Sequence, residues 1–266
     1  MSGAAAFFDL DKTVIATSST LALGRAFYSA GMINRRDVLK GAYARFVYHL
    51  GGADEARMNK MRGDLVGMIT GWEEATVRSI VAEAVTELID PLVYDEAASL
   101  IEEHHAAGRA VVIVSSSGDE VVGPVGDMVG ADHVVATRMV VDDGRYTGEV
   151  AFYAFGRHKA SAMRRLATEH DWDLDDCFAY TDSGTDVPML EAVGHPFAVN
   201  PDRPLRREAV ARDWPVLEFD HPVPLRSRFS RLPAPVRPVA VGLAGAAMVA
   251  AAAGWRAARV HGRRAG

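Results

Sequence analysis

The chain has 266 residues, a formal net charge of −6, 49% hydrophobic and 24% charged residues, and a single cysteine, Cys177. One cysteine cannot close an internal disulfide, and no Cys/His spacing matches a zinc site, so a disulfide scaffold and a zinc module are excluded and a reducing compartment is expected. Beyond Asp220 the chain holds eight arginines and no Asp, Glu or Lys, which leaves the first 220 residues at −14. An acidic body of that kind speaks against general nucleic-acid binding, which rests on phosphate neutralisation by basic side chains.

The opening "MSGAAAFF" is too short for a secretory signal and lacks its basic start, so a cytoplasmic protein is expected. "AAAFF" reads as a strand that stops abruptly at Asp9. From about Ser18 to Ile89 no strand-like run occurs. "TLALGRAFYSAGM", "DVLKGAYARFVYHL", "EARMNKMRGDLVGMI" and "EEATVRSIVAEAVTELI" all follow a helical period, making a helical block inserted early in the fold. After Pro91, "YDEAASLIEEHHAAG" reads as a helix closed by Gly108. "RAVVIV" follows as the continuous apolar run of a buried parallel strand.

That strand ends in "SSSGDEVV", which places Ser115 at its carboxyl end before a helix start. "HVVATRMVVDDGRYTGEV" carries two β-type runs around Asp143-Gly144, a hairpin signal. "GRHKASAMRRLATEH" is a helix with Lys159 in or near its first turn. "CFAY" is an apolar strand stopping at Thr181-Asp182, with Asp186 four residues on, and "HPFAVNPD" is a last short strand. Proline and arginine in "HPVPLRSRFSRLPAPVRP" mark a linker. Alternating strand-like and helix-like runs define an α/β domain, without internal repeats. His104, His105 and His158 have no partner at useful spacing and are assigned to the surface, and Cys177 to the core.

Three apolar strands therefore end in chemistry: Asp9 and Asp11 after the first, Ser115 after the second, Asp182 and Asp186 after a later one. Open parallel sheets bind ligands beyond the carboxyl ends of their strands, so groups far apart in sequence can meet there. Buried carboxylates need compensation by a cation or by hydrogen-bond donors. Taken singly, each residue has an ordinary alternative. Asp11 and Thr13 fit a helix cap, Ser115 an N-cap, Lys159 a solvated helix position, and Asp182 and Asp186 a cap for "VPMLEAV", with Pro188 in support. Taken together, they describe acids gathered around a metal ion and an anion.

The order of these elements resembles the haloacid dehalogenase superfamily of phosphohydrolases, within it the phosphoserine-phosphatase-like branch (subfamily IB) with a helical cap of the C1 type. Four motifs carry the resemblance: "DLDKT" with Asp9, Asp11 and Thr13; "VIVSSS" with Ser115; Lys159 in "GRHK"; and "TDSGTD" with Asp182 and Asp186. It implies a Rossmann-like core of parallel sheet flanked by helices, and a Mg²⁺-dependent phosphatase. Asp9 is then the nucleophile that forms an aspartyl-phosphate. Asp9, Asp182 and the Asp11 backbone carbonyl hold Mg²⁺, with Asp186 in support through a bound water or by direct coordination. Asp11 protonates the leaving group and then activates water. Thr13, Ser115, Ser116 and Lys159 bind phosphoryl oxygens, and Lys159 also masks the charge of Asp9.

Two positions depart from the pattern. The last motif usually has Gly where this chain has Thr181, whose hydroxyl is expected to shift the metal geometry and reduce activity. Phosphoserine phosphatases usually carry an amine-binding Glu nine residues after the nucleophile, where this chain has Ser18, so phosphoserine is not expected to be the preferred substrate. The runner-up readings are a phosphoserine phosphatase proper, a receiver-like domain, a metal-dependent glycosyltransferase and a catalytically weak phosphate-binding regulator. The helical block after the first strand argues against a receiver, and Lys159 with the second acidic pair against a glycosyltransferase.

The expected organisation is a core over residues 1–16 and 91–220, a cap over 17–90, a Pro/Arg-rich linker over 221–237, a hydrophobic helix over 238–256 and a basic tail over 257–266. "PVAVGLAGAAMVAAAAGW", from Pro238 to Trp255, has no charge and is flanked by Arg237 and Arg256. As a helix it spans about 27 Å at ~1.5 Å per residue, marginal for a ~30 Å hydrocarbon core. It is a candidate anchor on an anionic membrane surface, and a helix packed on the body or on another subunit is the alternative. Anchoring would fit a lipid phosphate such as lysophosphatidate or phosphatidylglycerophosphate; otherwise the partner is a small phosphorylated metabolite.

Overall fold

The computed structural model describes residues 3–33, 63, 67 and 69–225. The expected helices over 37–50 and most of 55–69, the remainder of the linker after Leu225, and the hydrophobic and basic segments all lie outside the described residues. Among the described residues no helix is long and apolar enough to cross a membrane.

The first strand, β1 (Ala5–Phe8), is buried along its whole length, which requires neighbours on both edges and both faces. It pairs in parallel with β2 (Ala110–Gly118) and with β5 (Phe178–Thr181), Phe8 lying opposite Ile113 on one side and Tyr180 on the other. β3 (His133–Asp142), β4 (Arg145–Phe152), β6 (His195–Val199) and β7 (Val216–Leu217) complete a seven-stranded sheet of order β4-β3-β2-β1-β5-β6-β7. Only the β3–β4 pairing is antiparallel. Asp143 and Gly144 between these two strands both have positive φ, 45° and 71°, as a two-residue primed turn demands.

Alternation along the strands divides the core between two faces. Ala6, Phe8, Val111, Ile113 and Tyr180 join one cluster. It is covered by α1 (Ser19–Ser29), α2 (Glu74–Ala84), α3 (Asp95–Ala106) and α4 (Asp119–Val129). Ala5, Phe7, Val112, Val114 and Ala179 join the other, covered by α5 (Arg157–Glu169), α6 (Val187–Leu190) and α7 (Arg203–Ala211). Phe7 and Phe8 are fully buried on opposite faces, and truncating either to Ala would cost about 3–5 kcal/mol. Cys177 is buried, as expected, and its sulfur accepts the Ala5 N–H at 3.2 Å.

β2 runs four residues beyond the expected end at Val114. Val114 faces Val135 and Gly118 faces Thr137, so four residues of β2 advance against two of β3. Such a bulge lets a strand continue through polar residues while re-aiming them. The Thr137 hydroxyl donates to the Ser116 carbonyl at 2.8 Å within it. Of the helical block, α1, α2 and a π-helical turn (Val85–Ile89) lie among the described residues. Residues 71–74 are tied to the β3–β4 hairpin: Gly71 N–H donates to Tyr146 O, Tyr146 N–H to Trp72 O, and Glu74 N–H to Gly144 O. Past Asp220 the chain still packs on the body, with Val223 N–H donating to Val93 O at 2.8 Å and Leu225 buried.

His104 corrects the surface assignment. It is 3% exposed, on the inner side of α3. Arg109 Nε donates to its Nδ1 at 2.7 Å, so the ring proton sits on Nε2, which donates to the Tyr180 hydroxyl at 2.9 Å. The pairing is long-range, and spacing along the chain carries no sign of it. His105 and His158 are exposed, as expected.

Candidate active site

Because β2, β1 and β5 are adjacent and in register, the bulged stretch of β2 and the carboxyl ends of β1 and β5 deliver Ser115, Asp9 and Thr181-Asp182 to one edge of the sheet. Asp9 follows β1 directly, and its N–H continues the ladder to the Tyr180 carbonyl at 2.9 Å. Lys159 reaches the same edge from the first turn of α5, where it is 2% exposed. Its ammonium donates to Asp9 Oδ1 at 2.6 Å and to Asp186 Oδ2 at 2.6 Å. Asp186 itself is 2% exposed and sits in the 3₁₀ turn Gly184–Asp186. Residues 150 and 27 positions apart thus form one buried charged triad, not the solvated lysine and helix cap of the ordinary alternatives.

Asp182 is also buried, and Lys12 approaches its Oδ2 at 3.4 Å. Lys12 has φ of 62°, a left-handed conformation at the tight bend of the loop after β1. In the same loop Val14 and Ile15 N–H both donate to the Leu10 carbonyl, and Asp11 Oδ1 accepts the Ser19 N–H at 2.9 Å. Asp11 therefore ties the loop to the first turn of α1. Ser19 and Ser117 hydroxyls meet at 2.9 Å, which links α1 to the end of β2 as well.

Ser115 is buried, and its Oγ accepts the Ser117 N–H at 3.2 Å. Ser116 is exposed, so the two adjacent serines face different surroundings. Thr13 is fully buried, and its hydroxyl has no hydrogen-bond partner among the described residues. Buried polar groups are normally satisfied, so this hydroxyl suits an incoming oxygen.

The charges show what the site lacks. Among the described residues, three buried carboxylates, Asp9, Asp182 and Asp186, face one buried ammonium. Burial pushes Asp9 up to about 8; Lys159 opposes that shift, while Asp186 and Asp182 add to it. Asp182 rises to about 6, again through burial, against the pull of Lys12. Asp11 also rises through burial, against the Ser19 N–H. Burial alone would lower Lys159, but Asp186 and Asp9 outweigh it and keep it an ammonium. A hard divalent cation on Asp9, Asp182 and the Asp11 carbonyl fits both this charge deficit and the all-oxygen donor set.

Asp202 is a supporting residue that sequence reasoning missed. It caps α7, accepting the Leu205 N–H at 2.8 Å, and also accepts the Gly184 N–H at 3.2 Å, anchoring the loop between Asp182 and Asp186. Asp followed by a proline in the first helical turn is the cap signal that would have exposed it. Two other features stand apart from this edge. A hollow of about 470 Å³ lined in part by His195, Arg212 and Trp214 lies at the amino-terminal end of β6. Glu96, Asp220 and His221 bring ligand atoms within 4.8 Å of one another at an exposed position.

The family model described as haloacid dehalogenase-like hydrolase matches residues 6–191, and the chain belongs to that family. It is 59% identical over 96% of its length to a Streptomyces azureus protein called inhibition of morphological differentiation protein, covering 93% of it. It is 54% identical over 94% of its length to a probable phosphatase of Mycobacterium tuberculosis H37Rv, covering 86%. With a phosphoserine phosphatase of that strain it shares 32% identity over 94% of its length, covering 80%. A solved phosphoserine phosphatase with a phospho-aspartyl intermediate analogue superposes with a TM-score of 0.57 at 18% identity, over 88% of this chain and 100% of that one, a likeness of fold. The chain is accordingly a phosphatase of this family, in its phosphoserine-phosphatase-like branch.

Proposed function

We propose that the chain is a Mg²⁺-dependent phosphomonoester hydrolase in which Asp9 forms an aspartyl-phosphate. The observation that carries this reading is the Lys159 ammonium, buried and 2.6 Å from both Asp9 and Asp186 at the carboxyl end of the central strand. An ion so placed stabilises an attacking carboxylate and the phosphoryl oxygens beside it. Asp9, Asp182 and the Asp11 carbonyl would hold Mg²⁺, which when bound would supply the charge neutralisation that two approaching anions need.

The chain's own groups divide the remaining work. Asp9 attacks phosphorus as the ester oxygen leaves. Asp11, oriented by the Ser19 N–H, hands its proton to that oxygen, and its raised affinity for the proton suits a general acid. As a carboxylate it then draws a proton from the water that hydrolyses the acyl-phosphate. Ser115, Lys159 and the unsatisfied Thr13 hydroxyl bind phosphoryl oxygens, with Ser116 adjoining. Asp186 holds Lys159 in place.

The substrate in this proposal is a small-metabolite or lipid phosphate. Ser18 lies close enough to Asp11 to counter part of the rise in its pKa, so the position of the family's amine-binding acid carries a neutral hydroxyl beside Asp11. Anionic-membrane attachment through the segment Pro238–Trp255 rests on its sequence alone.

The test is Asp9→Asn, which keeps shape but cannot attack phosphorus. Hydrolysis of p-nitrophenyl phosphate in Mg²⁺ is expected to vanish while the circular dichroism spectrum is unchanged. More than a few per cent residual activity in the folded variant would exclude the covalent mechanism.

A further inference from the structure

Thr181 ends β5 beside Asp182, at a fully buried position. Where the related motif has a glycine without a side chain, this chain has placed a hydrogen-bond donor. The Thr181 hydroxyl donates to Asp186 Oδ2 at 3.0 Å and accepts the Ser183 N–H at 3.3 Å. A hydroxyl has one proton to give, and with the Ser183 N–H on its lone pair that proton is committed to Asp186. The same oxygen of Asp186 receives the Lys159 ammonium at 2.6 Å, and Lys159 in turn holds Asp9 Oδ1. The contacts form one chain from Ser183 through Thr181, Asp186 and Lys159 to Asp9.

Asp186 is buried next to Asp9 and Asp182, all of one sign, and is pinned only by its donors. Two donors on one oxygen fix the orientation of the carboxylate. Without the hydroxyl, Asp186 Oδ2 keeps only Lys159 among the described residues and its torsion loosens, and the ammonium shared with Asp9 loosens with it. Partners that orient a metal-site carboxylate typically contribute 10–100-fold to metal affinity or activity.

We infer that Thr181 is a positioning residue, whose hydroxyl holds Asp186 on Lys159 so that Lys159 stays on Asp9 and Asp182 is left to take the cation. This rests on the Mg²⁺ site of the proposed function. The expected hydroxyl contribution is about 10-fold.

The experiment compares full-length wild type with Thr181→Val, which keeps the shape and loses the hydroxyl, and Thr181→Ser, which keeps the hydroxyl and loses the methyl. Mg²⁺ affinity is read by calorimetric titration of the substrate-free protein, and kcat with p-nitrophenyl phosphate. Thr181→Val is expected to weaken Mg²⁺ binding about 10-fold and lower kcat with it, while Thr181→Ser stays within about twofold of wild type. If Thr181→Val does not fold, Thr181→Ala takes its place in the same comparison. Wild-type Mg²⁺ affinity without the hydroxyl overturns the inference, as does an equal loss in Thr181→Ser, which would trace the effect to the methyl. Asp182→Asn separates the two levels: it should abolish Mg²⁺ binding. If it does so while Thr181→Val binds normally, only the role of Thr181 fails; if Asp182→Asn binds Mg²⁺ normally, the metal site itself is wrong, and this inference with it.

Discussion

A buried imidazole should make this protein acid-sensitive in a way that one substitution removes. His104 accepts Arg109 Nε on Nδ1 and donates from Nε2 to Tyr180. Protonation of Nδ1 would therefore break the Arg109 contact and set two cations against each other. Burial, then Arg109, then His105 lower its pKa from 6.5 to about 4. Since the folded value lies below the unfolded one, the associated stability is complete above pH 6.5 and drains away as pH falls towards 4. At 1.36 kcal/mol per pH unit the full loss is roughly 3 kcal/mol, and by pH 5 about 2 kcal/mol is gone. Urea unfolding in EDTA at pH 7.5 and 5.0 would measure it for wild type and His104→Gln. Carboxylates also titrate in this range, so the informative quantity is the gap between the two proteins. The variant should be less stable at pH 7.5 by about 1–2 kcal/mol for its lost hydrogen bonds, and the gap should close by about 2 kcal/mol at pH 5. A gap that stays constant within about 0.5 kcal/mol would refute the buried, neutral assignment.

Asp11→Asn should lower kcat by about 10²–10⁴-fold, the usual worth of a general acid–base group, and leave a long-lived acyl-phosphate detectable by trapping; wild-type kinetics would remove Asp11 from the reaction. In a metabolite-phosphatase screen, L-phosphoserine should not have the highest kcat/KM, because Ser18 stands where an amine-binding acid is needed; first rank for phosphoserine would mean that another acid supplies that charge. Removing residues 226–266 spares the packed Val223 and Leu225. The shortened chain should hydrolyse a soluble ester at an undiminished rate while losing affinity for anionic liposomes. Full-length protein that ignores such liposomes would end the anchor reading.

Much of the core was legible because its signals are local. Continuous apolar runs named β1, β2 and β5 as buried strands, the Asp143-Gly144 pair named the hairpin, and helical period named α1, α2, α3 and α5. Each strand's last apolar residue also marked where Asp9 and Asp182 begin. The extension of β2 through Ser115, Ser116 and Ser117 escaped notice because serines signal a turn unless a neighbouring strand supplies hydrogen bonds, and only the bulged pairing with β3 does so. α7 and its cap Asp202 were overlooked although a local signal was present.

The sequence by itself determined which chemical groups stand at strand ends, since strand and helix periods are set by backbone geometry and repeat every 2 or 3.6 residues. Tertiary structure decided who meets whom. Lys159 reaches Asp9 across 150 residues, and His104 reaches Tyr180 across 76. Such partnerships depend on strand order and register, which no window of local sequence contains. In their absence His104 looked like a surface residue, and Thr181 like a small misfit in a motif. Packing turned the first into a buried neutral ring and gave the second a hydrogen bond to Asp186, because buried polar groups are as a rule paired with whatever partner the fold brings near.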